Sequence, residues 1–227
     1  MALLLNIDTA TEHASVCLSQ DGNMLAIEEN SDQKNHGSFL HPAIERLCLS
    51  VNIQLSSIDA IAVTEGPGSY TGLRVGLASA KGLCYALNKP LIALNTLEVM
   101  ATASISKYQP SNNDCLFCPM IDARRMEVFT ALYDPSLKLL MPPTAAILTE
   151  TSFANELNKH NIAFSGSGSK KFKNIFQNSK AVFIDIQHNA ANMVALADKA
   201  FQQNGFANLA YSEPFYLKEF FSPLPKH

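Results

Sequence analysis

Cys115 and Cys118 have the CxxC spacing that can supply half of a zinc site. The remaining cysteines, at positions 17, 48 and 84, form no second pair. The segment around 115–118 has the apolar character of a buried strand, in which side chains three positions apart point to opposite faces. One tetrahedral ion does not bind two thiolates placed in that way. We therefore expect no metal at this pair.

Histidine and serine residues also lack the spacing of known catalytic motifs. His36 and His41 are five positions apart on a predicted helix, so they project to different sides, and no HExxH motif is present. Ser69 lies in Gly-Pro-Gly-Ser-Tyr-Thr-Gly, which differs from the GxSxG nucleophile elbow of hydrolases. The other candidates stand alone in the sequence: His13, His160 and His188. We predict no catalytic residue among them.

A glycine-rich turn, Ser-Gly-Ser-Gly-Ser at 165–169, separates a predicted strand from a predicted helix. Backbone N–H groups in such a turn can bind phosphate. The spacing matches neither a P-loop nor the dinucleotide fingerprint. Gly166 and Gly168 are therefore weak candidates for nucleotide contact, and an ordinary strand-to-helix turn is the alternative.

The composition and charge of the chain indicate which class of protein contains these residues. The chain has 227 residues, 47% hydrophobic and 16% charged, which is typical of a globular protein. Its net charge of −3 does not favour general attraction to nucleic acid or to anionic membranes. We expect the local basic groups, Arg124-Arg125 and Lys170-Lys171 with Lys173, to be solvated. The apolar run at 2–5 is too short for a signal peptide or a membrane span, and five cysteines make no disulfide framework, so we expect a cytoplasmic protein.

The hydrophobic pattern predicts alternating strands and helices. The predicted strands are 3–8, 14–19, 24–29, 58–64, 91–94, 116–122, 127–133, 162–164 and 182–184. The predicted helices are 36–51, one from Ser69 or Thr71 to Leu87, 96–106, 170–177 and 190–203. A polar stretch at 107–114 marks a boundary between a lobe at 1–106, to which the helix near 190–203 contributes, and a smaller lobe at 107–227. The segment 134–160 is predicted to be irregular.

The helix ending at Leu87 has two lines of small residues, each with a four-residue spacing. Glycine inside a helix costs up to about 1 kcal/mol relative to alanine, so the glycines need a structural reason. One line would let the helix approach its own sheet, and the other would leave a flat surface for a second protein. The alternative is that all the glycines serve internal packing. The two lines are Gly72, Gly76 and Ala80, and Ala78, Gly82 and Ala86.

This segment resembles the TsaB (YeaZ) family of proteins for threonylcarbamoyl-adenosine modification of tRNA. The resemblance is strongest over Gly66-Pro67-Gly68-Ser69-Tyr70-Thr71-Gly72-Leu73-Arg74 and continues through 75–76 and 80–82. It extends to Ile7-Asp8-Thr9-Ala10-Thr11, to the helix at 36–47 and to 214–218. It implies a two-lobed α/β fold of the actin-like ATPase (ribonuclease-H-like, ASKHA) class.

The resemblance also bears on nucleotide binding. Actin-like ATPases have Asp-x-Gly-Thr in the first turn, where the glycine lets the backbone close around phosphates. The corresponding residues are Asp8, Thr9, Ala10 and Thr11, and Ala10 adds a Cβ where an anion would approach. The metal-binding HxxxH of the catalytic TsaD paralogues is absent from the helix that begins near His36. The implied nucleotide site is therefore degenerate, with no cofactor expected.

The hypothesis that follows is a non-catalytic subunit that binds and activates TsaD, with TsaE joining through the complex. The resemblance implies a homodimer when the chain is alone, and contact with tRNA only indirectly. The alternatives are a small actin-like ATPase or kinase, a peptidase-like enzyme, and a nucleotide sensor that uses Gly166 and Gly168. The predicted partner interface is formed by the helices at 36–51 and 70–87: Phe39, Leu40, Ala43, Ile44, Leu47, Leu73, Gly76, Ser79 and Gly82.

Overall fold

The computed structural model describes residues 1–31, 36–109 and 114–218. The amino-terminal half contributes a five-stranded sheet in the order β3-β2-β1-β4-β5. β1 pairs antiparallel with β2 and parallel with β4, and β2 pairs antiparallel with β3 across a turn at Asp21 and Gly22. The strands are β1 (Leu3–Asp8), β2 (Ala14–Gln20), β3 (Asn23–Asn30), β4 (Ala60–Gly66) and β5 (Leu91–Asn95).

The second half repeats this arrangement. Its sheet has the order β10-β9-β6-β7-β8, so each sheet places its strands in the order third, second, first, fourth, fifth. The strands are β6 (Cys115–Asp122), β7 (Glu127–Tyr133), β8 (Leu139–Ile147), β9 (Asn161–Ser165) and β10 (Ala181–Ile184). Two mixed sheets with one repeated strand order form the two-lobed actin-like fold, and that prediction is confirmed.

Helices cover both faces of the first sheet. α1 and α2 pack on one face, with Leu40 and Leu77 against Leu5 and Val16. α6 and the 3-10 turn before it (Ala190–Met193) pack with α3 on the other face. The lobe boundary at 107–114 stays a prediction, and residues 110–113 lie outside the described residues. The helices are α1 (His36–Ser50), α2 (Tyr70–Leu87), α3 (Thr96–Lys107), α4 (Ala154–Lys159), α5 (Ser169–Ile175) and α6 (Val194–Gln202).

One predicted region is wrong: the segment 134–160 is not irregular. It contains β8 and α4. β8 contains Pro142 and Pro143, which are unusual in a strand because proline donates no hydrogen bond to a ladder. β8 is the outermost strand of its sheet and pairs only with β7. The register shifts between Thr130 and Leu132 on β7, so the two prolines occupy an irregular stretch of an edge strand.

The described residues contain no helix that combines the length and the apolar character needed to cross a membrane.

Candidate functional site

The turn after β1 is the place where an actin-like ATPase would hold phosphate. Asp8 ends β1 and is buried. Its Oδ1 accepts hydrogen bonds from the Ala10 N–H at 3.1 Å and from the Thr64 hydroxyl at 2.9 Å. Both donors belong to the protein interior, so this oxygen of the carboxylate fixes the turn to β4.

The second oxygen of Asp8 faces a histidine from a distant part of the chain. His188 Nε2 lies 3.3 Å from Asp8 Oδ2, and both side chains are buried. Burial lowers the pKa of His188; the Asp8 carboxylate opposes this effect and His13 adds to it. The sequence suggested an isolated histidine, but in the structure His188 faces Asp8. It lies against the end of β1 from the segment between β10 and α6, and among the described residues neither its Nε2 nor Asp8 Oδ2 has a hydrogen-bond partner.

Ala10 closes the turn against the Gly-Pro-Gly loop. Its carbonyl accepts the Ser69 N–H at 2.7 Å, and a Cβ on Gly68 would overlap that carbonyl. Ala10 itself is fully buried. The backbone that would approach a phosphate in an ATPase is packed against protein here.

The glycine-rich turn at 165–169 is also packed. A Cβ on Gly166 would overlap the Met100 side chain and the Met120 carbonyl, and one on Gly168 would overlap Val128. The Gly168 N–H donates to the Met120 carbonyl at 3.0 Å, and the Ser169 N–H donates to Gly166 at 3.1 Å. Close packing accounts for both glycines and favours the strand-to-helix turn over a nucleotide contact.

The two lines of small residues on α2 lie on different sides of the helix, one buried and one exposed. A Cβ on Gly72 would overlap the Thr9 carbonyl, and one on Gly76 would overlap the Thr9 hydroxyl. That hydroxyl donates to the Gly72 carbonyl at 2.7 Å. The inner line therefore lets α2 lie directly on the turn after β1. The other line is exposed, and a Cβ on Gly82 would meet nothing within 4 Å.

Comparison with known proteins places this geometry in a family. The family model described as "TsaD: tRNA N6-adenosine threonylcarbamoyltransferase" matches residues 24–221. The chain belongs to this family. Its similarity within the family is to the TsaB (YeaZ) proteins, as expected. The TsaB protein of Escherichia coli is 28% identical over 222 residues, covering 95% of this chain and 94% of that protein.

Other TsaB relatives align over shorter stretches. The Haemophilus influenzae protein is 36% identical over 126 residues, covering 56% of this chain. The match spans about half the length of the H. influenzae and Bacillus subtilis relatives, 51% and 54% respectively. A crystal structure from Pseudomonas aeruginosa, described as similar to peptidase YeaZ, has a TM-score of 0.82 and 25% identity. It covers 96% of this chain and 100% of that one.

The predicted TsaB interface residues divide by burial. Phe39 and Ser79 are half-buried and Gly82 is exposed, so these three offer surface to a partner. The other six lie in the interior, because the apolar spacing that selected them marks the inward face of a helix. Two large side chains that the sequence did not single out are also exposed on these helices: Leu49 on α1, 73% exposed, and Tyr85 on α2, 85% exposed. The six interior residues are Leu40, Ala43, Ile44, Leu47, Leu73 and Gly76.

The possible metal ligands are placed apart. Cys118 belongs to the apolar cluster on one face of the second sheet, whereas Cys115 belongs to a different cluster with Phe117, so alternation separates them as predicted. His36 is buried near the Glu12 carbonyl, and the exposed His41 lies 3.3 Å from the Ser79 hydroxyl. Among the described residues of this TsaB relative, no group of three or more ligand-type side chains could hold a metal ion.

Proposed function

We propose that this chain takes part in threonylcarbamoyl-adenosine biosynthesis on tRNA as a non-catalytic subunit. It binds a TsaD subunit and activates it, TsaE joins through the complex, and the chain forms a homodimer when TsaD is absent. The family match and the names of the TsaB relatives support the pathway. The turn after β1, closed at Ala10 and Gly68, supports a role without nucleotide chemistry.

The observation that carries the partner role is the outer face of α2. Ala78, Gly82 and Ala86 are exposed and present almost no side-chain bulk. Tyr85 on the same helix leaves most of its ring in solvent. Small residues allow a second helix to approach closely, and a neighbouring exposed tyrosine supplies contact area that is typical of interfaces.

α1 extends this surface. It packs beside α2, and the His41 imidazole lies 3.3 Å from the Ser79 hydroxyl. Leu49 is exposed near the end of α1. An exposed leucine and an exposed tyrosine are ordinary when single, but on two adjacent helices they suit a partner that packs as a pair of helices.

The experiment mixes the full chain with the TsaD subunit and measures complex formation by size exclusion with light scattering. Gly82→Arg places a charged side chain on the outer face of α2, and we expect it to abolish the complex and the homodimer. Asn155→Arg, on an exposed position of α4, is the matched control and keeps both. A Gly82→Arg variant that binds TsaD normally would remove α2 from the interface.

Activation is tested separately by measuring threonylcarbamoyl-adenosine formed on tRNA with the complete set of proteins. We expect wild type and Asn155→Arg to support modification, and Gly82→Arg to lose it in proportion to complex formation. A wild-type chain that binds TsaD without raising its activity would contradict the activating role and leave only a scaffold.

The alternative from another class is a small ATPase, kinase or peptidase. It needs an acidic group aimed at solvent or at substrate, whereas Asp8 is buried with both oxygens facing protein groups. We expect the purified chain to hydrolyse no ATP. Hydrolysis well above a protein-free blank, abolished by Asp8→Ala at equal folded concentration, would favour the enzyme.

A further inference from the structure

A concave site adjoins the Gly-Pro-Gly loop, which contributes Pro67 and Gly68 to its lining. It is a cleft of about 880 Å³ between this loop, the β6–β7 turn and the segment at 215–218. Its volume is in the range of ligand-binding clefts. None of the chemistry described above uses it.

The β6–β7 turn presents two arginines to this cleft. Arg124 and Arg125 have φ values of 71° and 49°, a region that residues other than glycine adopt rarely. Hydrogen bonds hold this backbone: the Arg124 N–H donates to Asp122 Oδ1 at 2.6 Å, and Lys171 Nζ donates to the Arg125 carbonyl at 2.9 Å. Lys171 is therefore part of the turn and not a solvated surface residue. The turn is fixed, while Arg124 and Arg125 themselves remain exposed.

The charge balance of the cleft is positive. Its charged lining residues are Arg124, Arg125, Lys218 and Glu127, and the Lys218 ammonium pairs with the Glu127 carboxylate. Within residues 1–31, 36–109 and 114–218, no carboxylate pairs with Arg124 or Arg125. The cleft thus keeps two positive charges in a chain whose net charge is −3. Such a local excess attracts an anion.

Aromatic rings form the facing wall. Tyr70 and Tyr216 pack at a tilt of 31° with their centroids 5.2 Å apart, and the Arg74 guanidinium lies over the Tyr70 ring at 4.0 Å. Arg74 Nε also donates to the Tyr216 hydroxyl at 3.1 Å, which holds this ring in place. Phe215 is fixed by its N–H, which donates to the Glu65 carbonyl at 2.7 Å. Phe215 and Tyr216 remain 37% and 38% exposed, so each offers ring surface to a ligand.

We infer that this cleft binds a nucleotide unit of single-stranded RNA, with its base against Phe215 and Tyr216 and its phosphate at Arg124 and Arg125. Aromatic rings beside arginines are the combination that recognises unpaired nucleotides, because every base stacks and every phosphate attracts guanidinium. The inference rests on the proposed function, since a tRNA modification complex brings RNA to this chain. It replaces the expectation that tRNA is contacted only indirectly.

The test measures fluorescence anisotropy of a labelled five-nucleotide single-stranded RNA with the full chain. Arg124→Gln with Arg125→Gln should weaken binding at least about tenfold and should reduce the slope of log K against log salt by about 0.7, the contribution of one phosphate contact on a single strand. The matched control is Lys159→Gln with Lys173→Gln, which removes two exposed charges that do not line the cleft. It should change Kd less than twofold.

Two further measurements test whether the aromatic rings contact the base and whether the ligand is RNA or a free nucleotide. Tyr216→Leu keeps an apolar side chain but removes the ring, and it should weaken RNA binding while the salt slope stays unchanged. AMP titrated in competition should displace the RNA only at much higher concentration. Displacement by AMP at concentrations equal to those of the RNA would overturn the RNA assignment in favour of a free nucleotide. Absence of RNA binding by the wild type, or equal losses in the lysine control, would overturn the site.

This outcome is separable from the proposed function. Arg124→Gln with Arg125→Gln should bind TsaD as the wild type does, because the cleft lies apart from the exposed line of small residues on α2. Loss of RNA binding with TsaD binding intact supports the cleft as an RNA site. A wild-type chain that binds RNA but not TsaD refutes the proposed partnership and leaves the cleft standing.

Discussion

On α2, Gly72 and Gly76 lie against the turn after β1, whereas Gly82 lies on the other side of the same helix and faces solvent. The inner glycines are required because the Thr9 carbonyl and hydroxyl occupy the space of their Cβ atoms. The outer glycine has free space around it. The same residue type therefore serves the fold on one side of a helix and is free to serve a partner on the other.

This comparison shows that the same four-residue spacing of small residues can mark either the buried or the exposed side of a helix. Gly76 and Gly82 are six positions apart, which is about 120° around a helix. The inner side is fixed by contacts that the structure contains. The outer side meets nothing within 4 Å of a Cβ at Gly82 in the described chain, and we assign its lack of bulk to the proposed partner. Changes on the two sides should then differ in kind: inner changes alter unfolding, and outer changes alter association.

The largest effect is expected for Gly76→Arg. The arginine side chain would overlap Thr9 and place a charge in the interior, so the free energy of unfolding should fall by more than about 4 kcal/mol. Gly82→Arg should change it by less than about 0.5 kcal/mol, as expected of an exposed position. Circular dichroism during heating measures both variants. If both unfold at the same lowered temperature, the two sides of α2 are not distinct.

Asp8→Ala should have the next largest effect, because it removes the carboxylate that holds the turn facing the inner side of α2. The Thr64 hydroxyl and the Ala10 N–H would lose their acceptor inside the protein. Each unsatisfied buried donor costs about 1–3 kcal/mol, so we expect a loss of roughly 3 kcal/mol in urea unfolding. Asp8→Asn keeps an acceptor oxygen and should lose less. Equal losses in both variants would contradict the structural role of the carboxylate.

The sequence predicted the fold well where local pattern and structure coincide. Alternating apolar residues placed the strands of the first sheet within two residues, and Ser69 caps α2 by accepting the Gly72 N–H at 3.3 Å. β8 was missed because local proline chemistry does not reveal that a strand lies at an edge. The interface stays a prediction, and six of its nine residues are buried because an apolar line at helical spacing identifies the face that turns inward, as for Leu40 and Ile44.

The candidate site was harder to predict for a physical reason. Asp8 and His188 are 180 positions apart in the chain, and their contact exists only after α6 and its preceding turn pack on the first sheet. Arg124 and Arg125 are an ordinary basic pair in sequence. The role proposed for them depends on a turn held by Lys171 and on aromatic rings from 215–216, which the fold brings together.

A smaller loss of stability is expected for Gly76→Ala, and a second substitution tests whether the Thr9 hydroxyl causes it. The added Cβ would overlap the Thr9 hydroxyl, while the next contact, Val63, is at 3.5 Å. We expect a loss of about 1–3 kcal/mol in urea unfolding. In a Thr9→Ala background the hydroxyl is gone, so Gly76→Ala should cost less than it does alone. Additive losses would show that Thr9 is not the reason for the glycine.

The smallest effect is a pH dependence of stability set by the buried His188. This residue lies in the segment between β10 and α6 and faces Asp8 at the end of β1. Burial lowers the pKa of His188 below the value of about 6.5 that histidine has in an unfolded chain, Asp8 partly opposes this, and His13 adds to it. Between the two pKa values the unfolded chain binds more protons than the folded one, so stability is fully present above about pH 6.5 and is lost as the pH falls. One such group contributes at most about 1.4 kcal/mol per pH unit.

Urea unfolding at pH 7.5, 6.5 and 5.5 should therefore show a fall in the free energy of unfolding that is smaller in His188→Gln than in the wild type. His160→Gln, which changes a partly exposed histidine beside Asp114, should keep the fall. An equal slope in the wild type and in His188→Gln would mean that His188 keeps its proton equilibrium unchanged on folding, and that its contact with Asp8 does not couple the turn to pH.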